Sequence, residues 1–176
     1  SKLNTAASSL DLVYWILNDP DFDYVFSAKN TTYISLTETN YNRARSLSTA
    51  AAAAISQARS NPTATNLRSM VDQNLTYLNA VYQTVNYSFS GLENTITSAS
   101  VTPAELDATK GSTSANSSAI SAGIAALQTA DYNYQSASLS LDNGVASAQE
   151  ALSQARVSLS DGLRQAKNTM DSTNTA

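Results

Sequence analysis

Apolar side chains recur at seven-residue intervals along most of this chain. Val71, Leu78, Val85 and Leu92 form one row, and Leu75, Tyr82, Phe89 and Ile96 form a second, four positions further on. Two rows at that offset make one continuous stripe on a helix. The spacing predicts a helix over 63–97, and Asn61-Pro62-Thr63 marks its start, because proline suits the first turn.

A longer helix is expected over 103–170. Thr102-Pro103-Ala104-Glu105 reads as a capping box with proline at the first helical position. Leu106, Thr113, Ile120, Leu127, Tyr134, Leu141, Ala148 and Ala155 then share one row. Ile124, Val145, Leu152, Leu159 and Ala166 share the adjoining one. Gly111, Gly123, Gly144 and Gly162 each weaken the helix by about 1 kcal/mol relative to alanine. Gly111 and Gly144 are the places where it would kink.

Two shorter helices come first, over 3–18 and 31–60. Leu3, Leu10 and Leu17 share a row beside Ala6 and Val13, and Asn18-Asp19-Pro20 ends that helix. Thr31 or Thr32 is the expected cap of the next. Its rows are Tyr33, Asn40, Leu47 and Ala54 beside Thr37, Ala44, Ala51 and Ala58. Strand signals are weak, because β-branched residues never alternate for long. Short connections force antiparallel neighbours. The expected fold is all-α: an elongated antiparallel bundle of three to four helices with a long C-terminal coiled-coil helix. The whole chain, 1–176, reads as one helical domain cut from a longer protein, since it begins at Ser1 with neither Met nor a signal peptide.

Composition changes the picture in two ways. The chain holds 28 Ala, 27 Ser, 19 Thr and 16 Asn, about half its length. Its stripes are therefore built from small side chains, which let helix axes approach to about 8 Å. They also bury little apolar area per residue, at ~25 cal/mol per Å². Secondly, there is no His and no Cys. That excludes a Ser-His-Asp triad, a thiol nucleophile, a Cys/His zinc site and a disulfide framework. Six Arg and four Lys are scattered among 14 acidic groups, giving a net charge of −4. Nucleic-acid binding needs clustered cations to replace counterions along phosphates, so it is not expected. The longest apolar runs have six residues, and a membrane span needs about 20.

Few residues are candidates for chemistry. Asp19, Asp21 and Asp23 mimic the opening of a calcium loop, but Tyr24 stands where glycine is required and Asn30 where a bidentate Glu belongs. The plainer reading is a helix stop with the aspartates serving as turn and cap residues. Tyr14, Trp15, Phe22, Tyr24 and Phe26 cluster at the same turn. They form either a contact for a partner or a cap closing the end of the bundle. The candidate contact residues are Phe22, Tyr24 and Phe26, with Ser98, Ser100 and Val101 on the hinge before the last helix. No catalytic residue and no cofactor is expected: there is no nucleophile–base pair, no Gly-rich phosphate loop and no Glu-x-x-His.

The order of the pieces carries a resemblance. An Asn-Asp-x-Asp-Phe turn leads to Tyr41-Asn-Arg-Ala-Arg-Ser46, then to Val71-Asp-Gln-Asn-Leu-Thr-Tyr-Leu78. A Ser/Thr hinge enters Val101-Thr-Pro-Ala-Glu-Leu-Asp-Ala108, followed by Ser117-Ser-Ala-Ile-Ser-Ala-Gly-Ile-Ala-Ala-Leu127 and an Ala/Gln/Leu helix over 146–155. Over roughly residues 10–165 this resembles the helical insertion of haemolysin-D-like membrane fusion proteins, the periplasmic adaptors of efflux pumps and type I secretion systems in bacteria. The form it is most similar to is the long, Ser/Thr/Asn-rich one of candidate-phylum bacteria. The resemblance implies a non-enzymatic, extracytoplasmic spacer and docking element, anchored in the cytoplasmic membrane through regions outside this chain. It implies protein partners, namely transporter or channel components, and self-association through helices. Of the family's Arg, Leu, Ser tip pattern, Arg43 and Leu47 are in place and Ala54 stands where Ser belongs. Four helices also exceed the family's two-helix hairpin. Two other classes fit the same helices: a four-helix-bundle sensor or ligand-binding domain of a receptor, and a surface or filament protein.

Overall fold

A computed structural model describes residues 2–174. The outermost residues of the expected 1–176 domain, 1, 175 and 176, lie outside the described ones. The fold is all-α. Helix α1 spans Lys2–Asn18, α2 Thr32–Ser60, α3 Ala64–Glu93 and α4 Pro103–Asn174. The chain divides into two compact units, residues 1–131 and 132–176.

Local signals explain most boundaries. Asp19 follows Asn18 in a turn whose N–H still reaches Trp15 O at 2.9 Å, and Pro20 blocks any continuation. Thr63 caps α3: its hydroxyl accepts from Asn66 N–H at 3.3 Å. Pro62 therefore sits just before the cap rather than in the first turn. Thr102 caps α4 by accepting from Glu105 N–H at 3.3 Å, with Pro103 first in the helix. The cap of α2 differs from expectation. Thr31 occupies the cap position but its side chain makes no cap bond; the Asn30 carboxamide oxygen accepts from Thr32 N–H instead, at 3.2 Å.

The unit of residues 1–131 is a bundle of α1, α2, α3 and the start of α4, with two adjoining cores. One holds Leu10 and Val13 of α1, Ala44 and Ala51 of α2, Leu78, Val81 and Val85 of α3, and Ile120 of α4. The other, at the end near the 19–31 turn, holds Ile16, Phe22, Phe26, Leu92, Val101 and Leu106. Ala44 and Ala51 are essentially inaccessible, so α2 meets its neighbours through methyl groups at close range.

On α3 the buried face is only partly the expected one. The row of Leu78, Val85 and Leu92 is buried, but Leu75, Tyr82 and Phe89 are only partly covered and Ile96 is exposed. The second buried row is Asn74, Val81, Ser88 and Thr95, flanked by Tyr77, Thr84 and Gly91. Small polar side chains enter the core because a helical hydroxyl or amide can donate to the carbonyl one turn back. Thr84 Oγ1 donates to Ala80 O at 2.8 Å, Asn74 Nδ2 to Met70 O at 2.7 Å, Thr37 Oγ1 to Tyr33 O at 2.6 Å and Thr113 Oγ1 to Thr109 O at 2.8 Å. Each of these four groups thus offsets its own desolvation, and such side chains pack in the core beside Ala and Val.

The expected seam of the last helix is also only partly buried. Leu106, Thr113 and Ile120 are buried and Leu127 is half-buried. In the unit of residues 132–176, which is helical through Asn174, every described side chain is exposed except the half-buried Ser138. Tyr134, Leu141, Val145, Leu152 and Leu159 keep the seven-residue repeat without burial.

Candidate interaction surfaces

The turn over 19–31 and the hinge over 94–101 are built as one structure. Phe22 and Phe26 enter the core, and the rings of Phe22 and Trp15 form a T-shaped pair at a centroid distance of 5.5 Å. Ser27 adopts a left-handed conformation, φ 56°, costing about 1 kcal/mol for a residue with a Cβ. Hydrogen bonds hold it there. Its N–H donates to Thr95 Oγ1 at 3.2 Å, and its hydroxyl donates to Asn30 O. Ile96 N–H reaches Val25 O at 3.2 Å and Lys29 N–H reaches Asn94 O at 2.9 Å. These cross-links take 94–97 out of the helix, so α3 stops at Glu93 rather than at 97.

Placed on this frame, the candidate contact residues separate. Phe22, Phe26 and Val101 are buried, so they do not form a contact surface; a cap on the end of the bundle buries them, because three large apolar groups there complete its second core. Tyr24 is 91% exposed. Ser98 and Ser100 are exposed and lie within hydrogen-bonding distance of each other at 3.1 Å, and Ser98 Oγ accepts from Val101 N–H at 3.0 Å, closing the hinge.

Asp19, Asp21 and Asp23 do not converge. Asp19 Oδ1 accepts from Asp21 N–H at 2.9 Å, a turn-forming bond. Among the described residues no group of three or more acidic side chains is placed to hold a metal ion. No described helix is long and apolar enough to cross a membrane.

Two clefts in the 1–131 unit escaped the sequence reading. One, of about 390 Å³, is apolar, lined by Leu3, Ile55, Met70, Leu78 and Leu127, with Arg59 and Asn74 among its lining residues. The other, of about 370 Å³, gathers Asp11, Arg45, Ser48, Tyr14, Tyr41 and Tyr77. Tyr14 and Tyr41 are tilted against each other at 6.1 Å. Burial, and secondarily the Asp11 carboxylate, push the Tyr77 phenol above its ordinary value. The residues come from three helices, so no local spacing announces them. The signal available was Asp11 and Arg45, charged residues beside otherwise apolar rows.

The third surface is the exposed apolar stripe of 134–166, with Leu141 68%, Leu152 56% and Leu159 65% accessible. Leu139 and Val157 lie outside that stripe. Exposed apolar side chains in a continuous row mark contact sites. No protein-family model matches this chain. No curated protein and no solved structure matches it either.

Proposed function

We propose that this chain is a non-enzymatic, extracytoplasmic helical domain of a membrane-transport adaptor, acting as spacer and protein-docking element. The reading rests on the resemblance of residues 10–165 to the helical insertion of membrane fusion proteins. The observation that supports a protein contact made through helices, self-association included, is the apolar stripe of 134–166, left exposed on a helix. Its partners would be transporter or channel components of the same system. The sequence flanking this chain in its gene tests the reading: halves of a lipoyl-like β domain on both sides agree with it.

One observation favours the sensor reading as the second. The cleft of Asp11, Arg45, Tyr14, Tyr41 and Tyr77 places an acid, a base and phenol groups together between helices, as a site for a small polar ligand requires. Transmembrane helices on both flanks would favour that reading over the adaptor.

A further inference from the structure

The stripe on residues 134–166 has the form of one half of a coiled coil. Written as heptads, its a positions are Ser138, Val145, Leu152, Leu159 and Ala166, and its d positions are Tyr134, Leu141, Ala148, Ala155 and Gly162. We infer that this segment pairs with the same segment of a second copy of the chain, as an antiparallel two-stranded coiled coil centred near Glu150.

Side-chain size selects the direction. In an antiparallel pair an a residue of one copy meets a d residue of the other. With the centre at Glu150, Val145 meets Ala155, Leu152 meets Ala148 and Ala166 meets Tyr134, so large faces small in three kinds of layer. Leu159 meets Leu141 in a fourth, and only the layer of Ser138 and Gly162 joins two small residues. A parallel pair would stack each residue on its own copy. Ala148, Ala155 and Gly162 would then make three hollow layers alternating with the leucine layers, and Ser138 and Ala166 two more. Hollow layers forfeit contact, and evenly filled ones do not.

Charge selects the same direction and the register. Of the flanking e and g positions of this segment, only Asp142 and Arg156 are charged, and both are e. Among the described residues neither takes part in an ion pair within the chain. In an antiparallel pair e faces e, and the register above sets Asp142 of one copy opposite Arg156 of the other, twice by symmetry. In a parallel pair e faces g, where only Ala137, Gly144, Ala151, Ser158 and Gln165 wait. The stripe is about 50 Å long and about 10 Å wide. It therefore buries roughly 1,000 Å² in total between two copies, the lower bound for a specific interface. The contact is isologous, so assembly closes at two. None of this depends on the transport-adaptor reading.

Sedimentation of the 176-residue chain over a concentration series tests it. The expected result is a monomer–dimer equilibrium with a dissociation constant on the order of 10 µM. Asp142→Arg alone and Arg156→Asp alone each weaken the dimer about tenfold, and the double variant restores it; circular dichroism verifies that helicity is unchanged. The chain has no cysteine, so cross-linking is clean. A mixture of Leu141→Cys chains and Leu159→Cys chains forms the mixed disulfide, whereas Leu159→Cys alone does not cross-link. A chain that stays monomeric to about 1 mM, a double variant without recovery, or self-cross-linking of Leu159→Cys would each overturn the proposal. So would a stripe occupied by a different protein while the chain alone stays monomeric.

Discussion

The ring of Phe26 rests on the bare backbone of Gly91. A Cβ on Gly91 would stand 2.3 Å from Phe26 Cζ and 2.6 Å from Cε2, far inside contact distance. The glycine is in the last turn of α3 and the phenylalanine in the turn after α1, so one missing methyl group lets the cap close on the helix.

Gly91→Ala should therefore destabilise the 1–131 unit. A Cβ so deep inside contact distance puts the overpacking cost in the upper part of its usual range, about 2–3 kcal/mol, and the better helix propensity of alanine offsets about 1 kcal/mol. The net expectation is a loss of about 1–2 kcal/mol in urea unfolding, followed by the fluorescence of Trp15, which touches this core through Phe22. An unchanged midpoint would mean that the ring does not rest there.

Thr95 links the hinge to the strained turn by accepting from Ser27 N–H and donating to Gly91 O at 2.9 Å. Thr95→Val keeps the shape and leaves a buried N–H without its acceptor, at a cost of about 1–3 kcal/mol. Thr95→Ser keeps the hydroxyl and should cost less. If the two variants unfold at the same denaturant concentration, the hydroxyl is not what holds Ser27 in its left-handed conformation.

Ser88 makes the opposite prediction. Its hydroxyl is buried and has no hydrogen-bond partner, unlike Thr84 one turn earlier. Removing an unsatisfied polar atom relieves its desolvation cost, and alanine favours the helix. Ser88→Ala should stabilise the unit by about 0.5–1 kcal/mol in the same unfolding experiment, whereas Thr84→Ala should destabilise it.

Tyr77 sets a pH dependence. Its folded-state pKa lies above the ordinary 10.0, chiefly through burial and secondarily through Asp11. The unfolded chain thus releases this proton first as pH rises. Stability from this group is complete below the ordinary tyrosine value and is lost as pH climbs through the raised one. Unfolding free energies measured between neutral pH and about pH 11 should fall less steeply in Tyr77→Phe than in the parent chain. Asp11→Asn should flatten the same slope by a smaller amount. An identical slope in all three chains would remove Tyr77 as the cause.

Much of this molecule was legible in the residue order. The Leu78, Val85, Leu92 row named the face of α3 that is buried, and Pro20, Thr63 and Thr102 marked helix ends through chemistry local to a few residues. What failed was the assumption that hydropathy ranks burial. Asn74, Thr84, Ser88 and Thr95 are buried where Leu75, Phe89 and Ile96 are not, because most of these polar groups find an acceptor on their own helix. The aromatic turn was ambiguous for a related reason: Phe22 and Phe26 look alike as capping or docking groups until tertiary packing buries both, Phe26 against Gly91 and Phe22 beside Trp15.

Periodicity and capping chemistry, then, are properties of adjacent residues, and they settled by themselves that the chain is helical and where most of its helices start and stop. Which rows are covered depends on residues distant in sequence. The repeat is as regular at Leu152 and Leu159 as at Leu78 and Val85, but only the latter meet neighbours within the bundle. The cleft of Asp11, Arg45 and Tyr77 likewise exists because three helices bring together side chains that have no spacing in common.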